Sequence, residues 1–513
     1  TPPGAGLLVG AGLLAALALR VWPAPAPQAI GPHWSPGMDL ERWPPTVDPV
    51  WFAGFAALAG AATLAAGAWR LRRATALPFP TLALYAAGAA LTPLAMLALA
   101  YVRLTDRSPS MTLAAVAAGV GVAFAVLAAR FREDEDRDAP ARRLGAGAFA
   151  SAALAAIALG LTFALEGGAL TVSLSLAALG AAWTATRLDL PALRWCVAGL
   201  GVVIAARLAW EPRIVADLGK TPIFNWLLFG YGAPALAFGL AARLMRRAGG
   251  EDMPTRVAQS LAILFSALLA FFEIRHLIND GDAFARRSGL VEQGLFATSA
   301  LAFALTLTRL DAARASPVFR IASFIAGGLA ALGVVWGLGV LHNPLISGRA
   351  VEGGAALNGL LLGYLLPAIL ATALARGAEG VRPYAFTLAA KLLAIGLLFG
   401  YVTLQTRRAF HDAQIGLLRG WSDGEWYAYS AIWLGLGVAL LAWGLWRGSR
   451  EARLASAGFV GLTVLKVFLL DMSGLEGALR AASFIGLGLA LIGIGLVYQK
   501  LVFRRPPAEG SVL

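Results

Sequence analysis

The chain of 513 residues is 59% hydrophobic and only 14% charged. No water-soluble globule has enough interior to bury that much apolar surface, so the composition excludes a soluble protein and indicates a chain that crosses a membrane many times. The net charge of +13 would favour nucleic acid as a partner of a soluble chain. Here the membrane topology accounts for the basic residues, and we expect no nucleic acid partner.

The apolar residues fall into segments that match the thickness of a bilayer. About twenty apolar residues in an α-helix cross its hydrocarbon core. Sixteen such segments follow one another, and we expect each to be a transmembrane helix. In chain order they are 4–22, 50–69, 80–101, 110–130, 144–165, 168–186, 195–211, 223–243, 257–274, 291–308, 321–341, 355–375, 384–404, 425–446, 454–470 and 481–499. The predicted fold is an all-α integral membrane protein.

Arginine clusters follow every second segment, as at Arg70, Arg130 and Arg447. Lys and Arg just beyond a span mark its cytoplasmic end, so this alternation predicts the direction of every helix and a cytoplasmic C-terminus. The chain begins with Thr1, and a span follows within a few residues. We therefore expect a processed chain or a part of a longer one.

Two patterns recur along the chain and predict internal repeats. Three acids are each followed by an arginine 28 positions later: Glu166 by Arg194, Glu292 by Arg320 and Glu425 by Arg453. Asp48 opens a more distant first copy. The second pattern, 133 residues apart, matches Asn225, Gly230, Tyr231 and Pro234 with Asn358, Gly363, Tyr364 and Pro367.

Two independent motifs that recur along the chain favour four copies of a four-helix unit, and an even number of helices per copy makes the repeats parallel. The predicted repeats are 1–143, which is divergent, 144–256, 257–383 and 384–513.

Several motifs resemble those of a bacterial membrane-protein family, domain of unknown function 2339. They are Lys466 to Val502, EIRH at Glu273 to His276, GEWYAYS at Gly424 to Ser430, and the Asn–Gly–Tyr–Pro helix. The resemblance is stronger in the second half of the chain than in the first. It implies a multispanning protein of a bacterial inner membrane, from a family whose members are typically longer, and it supplies no activity and no catalytic residues.

The repeated acids Asp48, Glu166, Glu292 and Glu425 stand at the starts of inward-running helices. There a carboxylate complements the helix dipole and the free N–H groups for about 0.3–1 kcal/mol. The alternative is that the repeats gather several acids around one outward-facing vestibule.

Two basic turns follow long apolar runs at matching places. Glu273, Arg275 and His276 form one, and Arg407 and Arg408 form the other. Charges at span ends commonly extend toward water. Guanidinium groups also match phosphate or carboxylate oxygens, so an anionic headgroup site is the second interpretation. No histidine has metal-ligand spacing, and we predict neither a metal nor a cofactor.

Charged residues interrupt or directly follow apolar segments at Arg207, Lys391, Lys466 and Asp471. A charge at the bilayer centre costs at least about 2.5–3.5 kcal/mol on insertion scales. We expect these side chains to face the bundle interior, a partner or a water-filled cavity.

Three classes of function remain open. The first choice is a translocator of a lipid-like or anionic envelope substrate, and the second is a non-catalytic scaffold or subunit of a larger membrane complex. The third is a lipid-linked glycosyltransferase, for which Asp39 and Glu41 in the first outer loop are the catalytic candidates. No nucleotide-binding or hydrolase motif occurs, so we favour a protein that is not an enzyme. Its expected partners are membrane lipids and other membrane-protein subunits.

Overall fold

The computed structural model describes residues 10–12, 14–15, 49–74, 77–105, 108–133, 139–210, 219–285, 288–472 and 477–502. These residues form helices joined by turns and loops, with an isolated β-bridge between Gly353 and Asn358. The predicted all-α fold is confirmed.

The chain divides into two compact units, residues 1–283 and 284–513, here called the N-terminal and C-terminal units. The described helices of the N-terminal unit are α1 (Pro49–Arg73), α2 (Phe79–Thr105), α3 (Met111–Glu133), α4 (Pro140–Ala164), α5 (Gly167–Arg187), α6 (Pro191–Trp210), α7 (Leu228–Gly249) and α8 (Met253–Ile278). The first turn of α7, Leu228–Gly232, is a π-helix.

The C-terminal unit contains seven long described helices. They are α9 (Leu290–Ala313), α10 (Pro317–Leu332, extended by the π-helix Gly333–Leu341), α11 (the π-helix Leu361–Leu365, then Leu366–Ala378), α12 (Tyr384–His411), α13 (Asp423–Trp446), α14 (Arg450–Lys466, then the π-helix Val467–Asp471) and α15 (Gly477–Val502). Two short helices, Pro344–Ser347 and Leu417–Arg419, lie in the links.

Among the described residues, fourteen helices, α1 to α14, are long and apolar enough to cross a membrane. The sequence predicts sixteen. The first predicted segment lies largely outside the described residues, and the last corresponds to α15. On α10 the exposed side chains Ile325, Leu329, Leu332 and Trp336 follow helical spacing and form one apolar stripe. Such a stripe is suited to contact with lipid, and the protein is membrane-embedded.

Local sequence explains where several helices start. Asp252, Ser422 and Ser449 each precede a helix, and each side chain accepts a backbone N–H from three residues further on. Such N-caps satisfy donors that have no partner within the helix.

The helices pack in a similar pattern in parts of the two units. In the N-terminal unit α5 packs on α6 and α7, and both of these pack on α8. In the C-terminal unit α9 packs on α10 and α11, and both of these pack on α12. The likeness agrees with internal repeats, although it groups the helices one position later than the predicted boundaries. The arrangement as four repeats stays a prediction.

Candidate functional site

Arg407, in the last turns of α12, is completely buried. Its Nε donates to the carbonyl oxygen of Ile415 over 2.6 Å, and a terminal nitrogen donates to the carbonyls of Gly416 (2.8 Å) and Gly420 (3.2 Å). Its Cζ also lies over the Trp421 ring, 4.1 Å from the ring centre. One guanidinium group therefore holds the link between α12 and α13 in place.

The same guanidinium pairs with Glu425, which is also completely buried. One carboxylate oxygen accepts from Arg407 over 2.8 Å and from the Tyr429 hydroxyl over 2.7 Å, and the other lies 2.8 Å from His411 Nε2. Hydrogen bonds to charged groups are stronger than neutral ones, and here they compensate for taking both charges out of water.

Arg408 binds a different loop from its neighbour. Its terminal nitrogens donate to the backbone carbonyls of Val351, Gly353 and Gly354, with a distance of 2.6 Å to Gly353. The two successive arginines therefore fasten two separate loops of the C-terminal unit.

The end of α8 in the N-terminal unit is built along the same lines. Arg275 Nε donates to the carbonyl oxygen of Ala283 over 2.8 Å. The buried His276 ring places Nε2 at 2.8 Å from the carbonyl oxygen of Gly219. Here too the basic residues hold backbone that lies outside the helix.

The repeated asparagine reaches each of these helix ends. Asn225 Nδ2 donates to Glu273 over 3.1 Å, and Asn358 Nδ2 donates to Gln405 over 3.0 Å. In both, the side-chain oxygen accepts the backbone N–H two residues ahead, at 2.7 and 3.0 Å. Each asparagine thus shapes the start of its own helix and joins it to the next.

The structure places the five predicted headgroup residues at these two helix ends, one in each unit. Arg275, Arg407 and Arg408 all bind carbonyl groups of the chain itself. Sequence reasoning found the basic turns and missed what they contact. An anionic headgroup site here stays a prediction.

The repeated acids differ in their placement. Glu166 is the N-cap of α5, and its side chain makes no cap hydrogen bond. Glu292 and Glu425 lie in the first turns of α9 and α13 and are buried. Asp48, with Asp39 and Glu41, lies outside the described residues. A vestibule shared by these acids stays a prediction.

Lys466 and Asp471 form a closed polar cluster at the end of α14. Lys466 Nζ donates to Asp471 over 2.6 Å, and to Ser430 and the Trp426 carbonyl over 2.8 Å each. Ser430 in turn donates to Asp471 over 2.6 Å. A five-residue separation suits an α-helix poorly, but the chain is π-helical over Val467–Asp471, and π-helical bonds join residues five apart.

The other two cations that the sequence predicts to lie in the membrane are also bonded. Lys391 lies between the exposed carboxylates of Glu379 (2.7 Å) and Glu451 (3.1 Å), at the end of α11 and the start of α14. Arg207 donates to the carbonyl oxygen of Gly167 over 3.2 Å.

Sequence reasoning did not find a buried ion pair between Asp311 and Arg382, which are 71 residues apart. Ser323 accepts from Arg382 Nε over 3.0 Å, and Arg320 approaches Asp311 within 3.5 Å. Arg320 ends one of the 28-residue spacings. That spacing is the one sequence signal that points to the region of this ion pair.

Two cavities adjoin in the N-terminal unit. The first, here called the α3–α6 cavity, has a volume of about 820 Å³ and is lined by Ala128, Ala153, Ile157, Gly180 and Trp183 among others. The second, the basic cavity, has about 710 Å³ and is lined by Arg132, Arg142 and Arg143 together with Asp189. The basic cavity lies where α3 and α5 end and α4 and α6 begin, and the α3–α6 cavity extends along α4 to Ile157 in the middle of that helix.

Within the described part of the chain, no group of three His, Cys, Asp or Glu side chains could hold a metal ion. The fold and its paired interior charges define a multispanning helical membrane protein. The chain belongs to the family described as "Predicted membrane protein (DUF2339)", whose model matches residues 10–501. The match covers nearly the whole chain and so extends well beyond the C-terminal portion. No curated protein and no solved structure matches it.

Proposed function

We propose that the protein translocates a lipid-like substrate, and that the α3–α6 cavity receives it. The observation that carries this proposal is the cavity of about 820 Å³ between four membrane-spanning helices. Ligand pockets commonly enclose about 300–1,000 Å³ and are mostly apolar. Small side chains such as Ala128 and Ala153 leave this space open, and a lipid tail is the apolar ligand that a membrane supplies.

In this proposal the protein lies in the bacterial inner membrane with its C-terminus in the cytoplasm, and it acts in the cell envelope. The arginines that end α3 and α5 then face the cytoplasm, because positive residues collect on that side. The substrate would enter the cavity from the cytoplasmic leaflet.

The basic turns at the ends of α8 and α12 have a structural role in this proposal. An anionic headgroup at Arg407 would have to replace hydrogen bonds to three carbonyls and a carboxylate. Leaving such buried groups unsatisfied costs about 1–3 kcal/mol each. The substrate is therefore assigned to the cavity and not to the turn that contains Arg407.

A non-catalytic membrane scaffold is the second candidate. It is favoured by the closed ion pairs Arg407–Glu425, Lys466–Asp471 and Arg382–Asp311, which leave their charges engaged within the fold. Its partners would be other membrane-protein subunits.

Filling the cavity separates the two candidates. A Cβ added at Gly180, which lines the cavity, would meet nothing within 4 Å, so Gly180→Leu places a larger side chain at an open position of the cavity wall. Gly199 on α6 has the same open surroundings and lies outside the residues lining the cavities, which makes Gly199→Leu the matched control. Both changes raise helix propensity by about 1 kcal/mol.

The assay is the movement of a fluorescent phospholipid across liposomes that contain the purified protein, followed with a membrane-impermeant quencher. We expect the wild type and Gly199→Leu to accelerate this movement equally. With Gly180→Leu the movement should be about tenfold slower than with the wild type. Equal rates for both variants would exclude the cavity as the route. A wild type without any effect would favour the scaffold.

A further inference from the structure

Arg132, in the last turn of α3, lines both the α3–α6 cavity and the basic cavity. Leu188 and Leu190 of the link between α5 and α6 are shared as well, so the two spaces adjoin along one wall. Arg132 is partly buried, and its guanidinium makes no hydrogen bond or ion pair with the part of the chain that the structure describes. Arg132 therefore stands between an apolar and a polar space.

Among the described residues, more positive than negative side chains line the basic cavity. Arg132, Arg142 and Arg143 line it, and Asp189 contributes one carboxylate. Arg142 has a fixed position, because it donates to the carbonyl oxygen of Leu71 over 3.1 Å and lies over the Phe131 ring at 5.8 Å. An anion in this cavity would thus meet one anchored guanidinium and others beside it.

The α3–α6 cavity has the opposite character. Alanine, leucine and isoleucine side chains form most of its wall, including Ala128, Ala153, Leu154 and Ile157. The charged residues among those that line it are Arg132 and Glu133, both at the end of α3. A ligand that fits both spaces needs an anionic group joined to an apolar chain.

We propose that the two cavities together bind a phospholipid, with its phosphate at Arg132 and the basic cavity and an acyl chain in the α3–α6 cavity. Guanidinium donates two parallel hydrogen bonds to phosphate oxygens. Basic pockets between transmembrane helices hold anionic headgroups in the same way. This inference rests on the proposed function and names the chemical class of its substrate.

The test compares two lipids with identical acyl chains, phosphatidylglycerol and diacylglycerol, which lacks the phosphate. Each is added to delipidated, detergent-solubilised protein, and the bound lipid is counted by native mass spectrometry. The variant is Arg132→Gln. The control is Arg130→Gln, which removes the same charge from an exposed position two residues earlier on α3, outside the cavity walls.

We expect one phosphatidylglycerol to bind the wild type and Arg130→Gln alike, and Arg132→Gln to bind it at least about tenfold more weakly, since a charged hydrogen-bond partner is lost. Diacylglycerol should bind the wild type as weakly as phosphatidylglycerol binds Arg132→Gln. Inorganic phosphate at millimolar concentration should leave the bound lipid in place.

Three results would overturn the inference. Equal binding of both lipids, unchanged in Arg132→Gln, would mean that the cavity takes lipid without recognising phosphate, and the proposed function would stand. Displacement of the lipid by inorganic phosphate would assign the basic cavity to the free ion. Absence of both lipids from the wild type, with Gly180→Leu unaltered in translocation, would remove the proposed function as well.

Discussion

The ends of α8 and α12 both bind backbone carbonyls of neighbouring loops, but they use different side chains to do so. In each, an arginine donates its Nε to a backbone carbonyl eight residues further on: Arg275 to Ala283 over 2.8 Å and Arg407 to Ile415 over 2.6 Å. The next residue in each case is basic and bonds to a glycine carbonyl from an earlier loop. The common element is a helix end that binds loops on both sides.

The difference lies in the basic residue that follows the arginine. Among the described residues, His276 contacts one carbonyl, that of Gly219, whereas Arg408 contacts three. The asparagine partner is a carboxylate, Glu273, at one end and an amide, Gln405, at the other. A planar guanidinium with five donors can organise a whole loop, while an imidazole fixes a single point. We therefore expect the α12 end to be the more sensitive to substitution.

The largest effect should come from Arg407→Met. It leaves the Glu425 carboxylate buried without its guanidinium, and breaking a buried ion pair in this way costs about 3–5 kcal/mol. Arg275→Met should cost less because Arg275 is only partly buried. Unfolding by SDS in mixed micelles, followed by tryptophan fluorescence, measures both.

Arg419→Met is the control for this pair, since that exposed side chain lies in the same link and should change stability by no more than about 0.5 kcal/mol. An equal loss of stability in Arg275→Met and Arg407→Met would contradict the expected difference between the two helix ends.

The next largest difference in stability is expected between substitutions of two loop glycines, Gly353 and Gly219, whose carbonyls bind Arg408 and His276. Gly353 has φ of +101°, and a Cβ there would lie 2.7 Å from both the Leu357 oxygen and Asn358 Cα, so Gly353→Ala should cost about 2–3 kcal/mol. Gly219 has φ of +73° with nothing within 4 Å, so Gly219→Ala should cost only about 1–2 kcal/mol. The same SDS titration tests this order, and a greater loss at Gly219 would contradict it.

Exchanging the asparagine partners should have unequal effects. Gln405→Glu replaces the amide that donates to the Ala355 carbonyl with an acceptor, which should cost about 0.5–1.5 kcal/mol. Glu273→Gln keeps an oxygen for Asn225 and removes a charge, so stability should change by less than about 1 kcal/mol. Parallel unfolding titrations at neutral pH measure the pair. Equal losses would mean that the amide donor at Gln405 is dispensable.

The smallest effect is expected at the other end of α8. Burial tends to raise the pKa of Asp252, but hydrogen bonds from Arg194 and Thr255 outweigh it and hold the pKa below its usual value. The resulting stability is present above the ordinary pKa of about 3.9 and is lost as the pH falls through the lower folded value. Asp252→Asn keeps the cap and should lose about 0.2–1 kcal/mol at pH 7, given the exposure of the ion pair.

Unfolding titrations at several pH values check this prediction. The difference between wild type and Asp252→Asn should shrink as the pH approaches and passes below the folded pKa. A difference that stays constant down to low pH would mean that the ion pair contributes nothing.

The sequence predicts the helices well because the bilayer requires a fixed length of apolar chain, and every predicted segment from 50–69 to 481–499 corresponds to a described helix. It also locates the basic turns. It does not predict what Arg407 and Arg408 bind, because their partners are mostly backbone carbonyls, which carry no signal in the side-chain sequence.

The sequence does not predict the two cavities, for a related reason. Their walls use alanine and glycine, such as Ala128, Ala153 and Gly180, and these residues are abundant throughout the chain. Small residues permit either close packing or open space, and only the placement of the neighbouring helices decides between them.

The π-helical first turns of α7 and α11 set the direction in which Asn225 and Asn358 point. A turn closed by bonds between residues five apart holds one residue more than an α-helical turn. Removing one residue from Leu228–Gly232 would allow a regular α-helix but would rotate everything before it by about 100°. Asn225 would then point away from Glu273. At these two places, deleting one residue would rotate the preceding loop about the helix axis. The number of residues in each π-helical turn therefore determines which way the asparagine points.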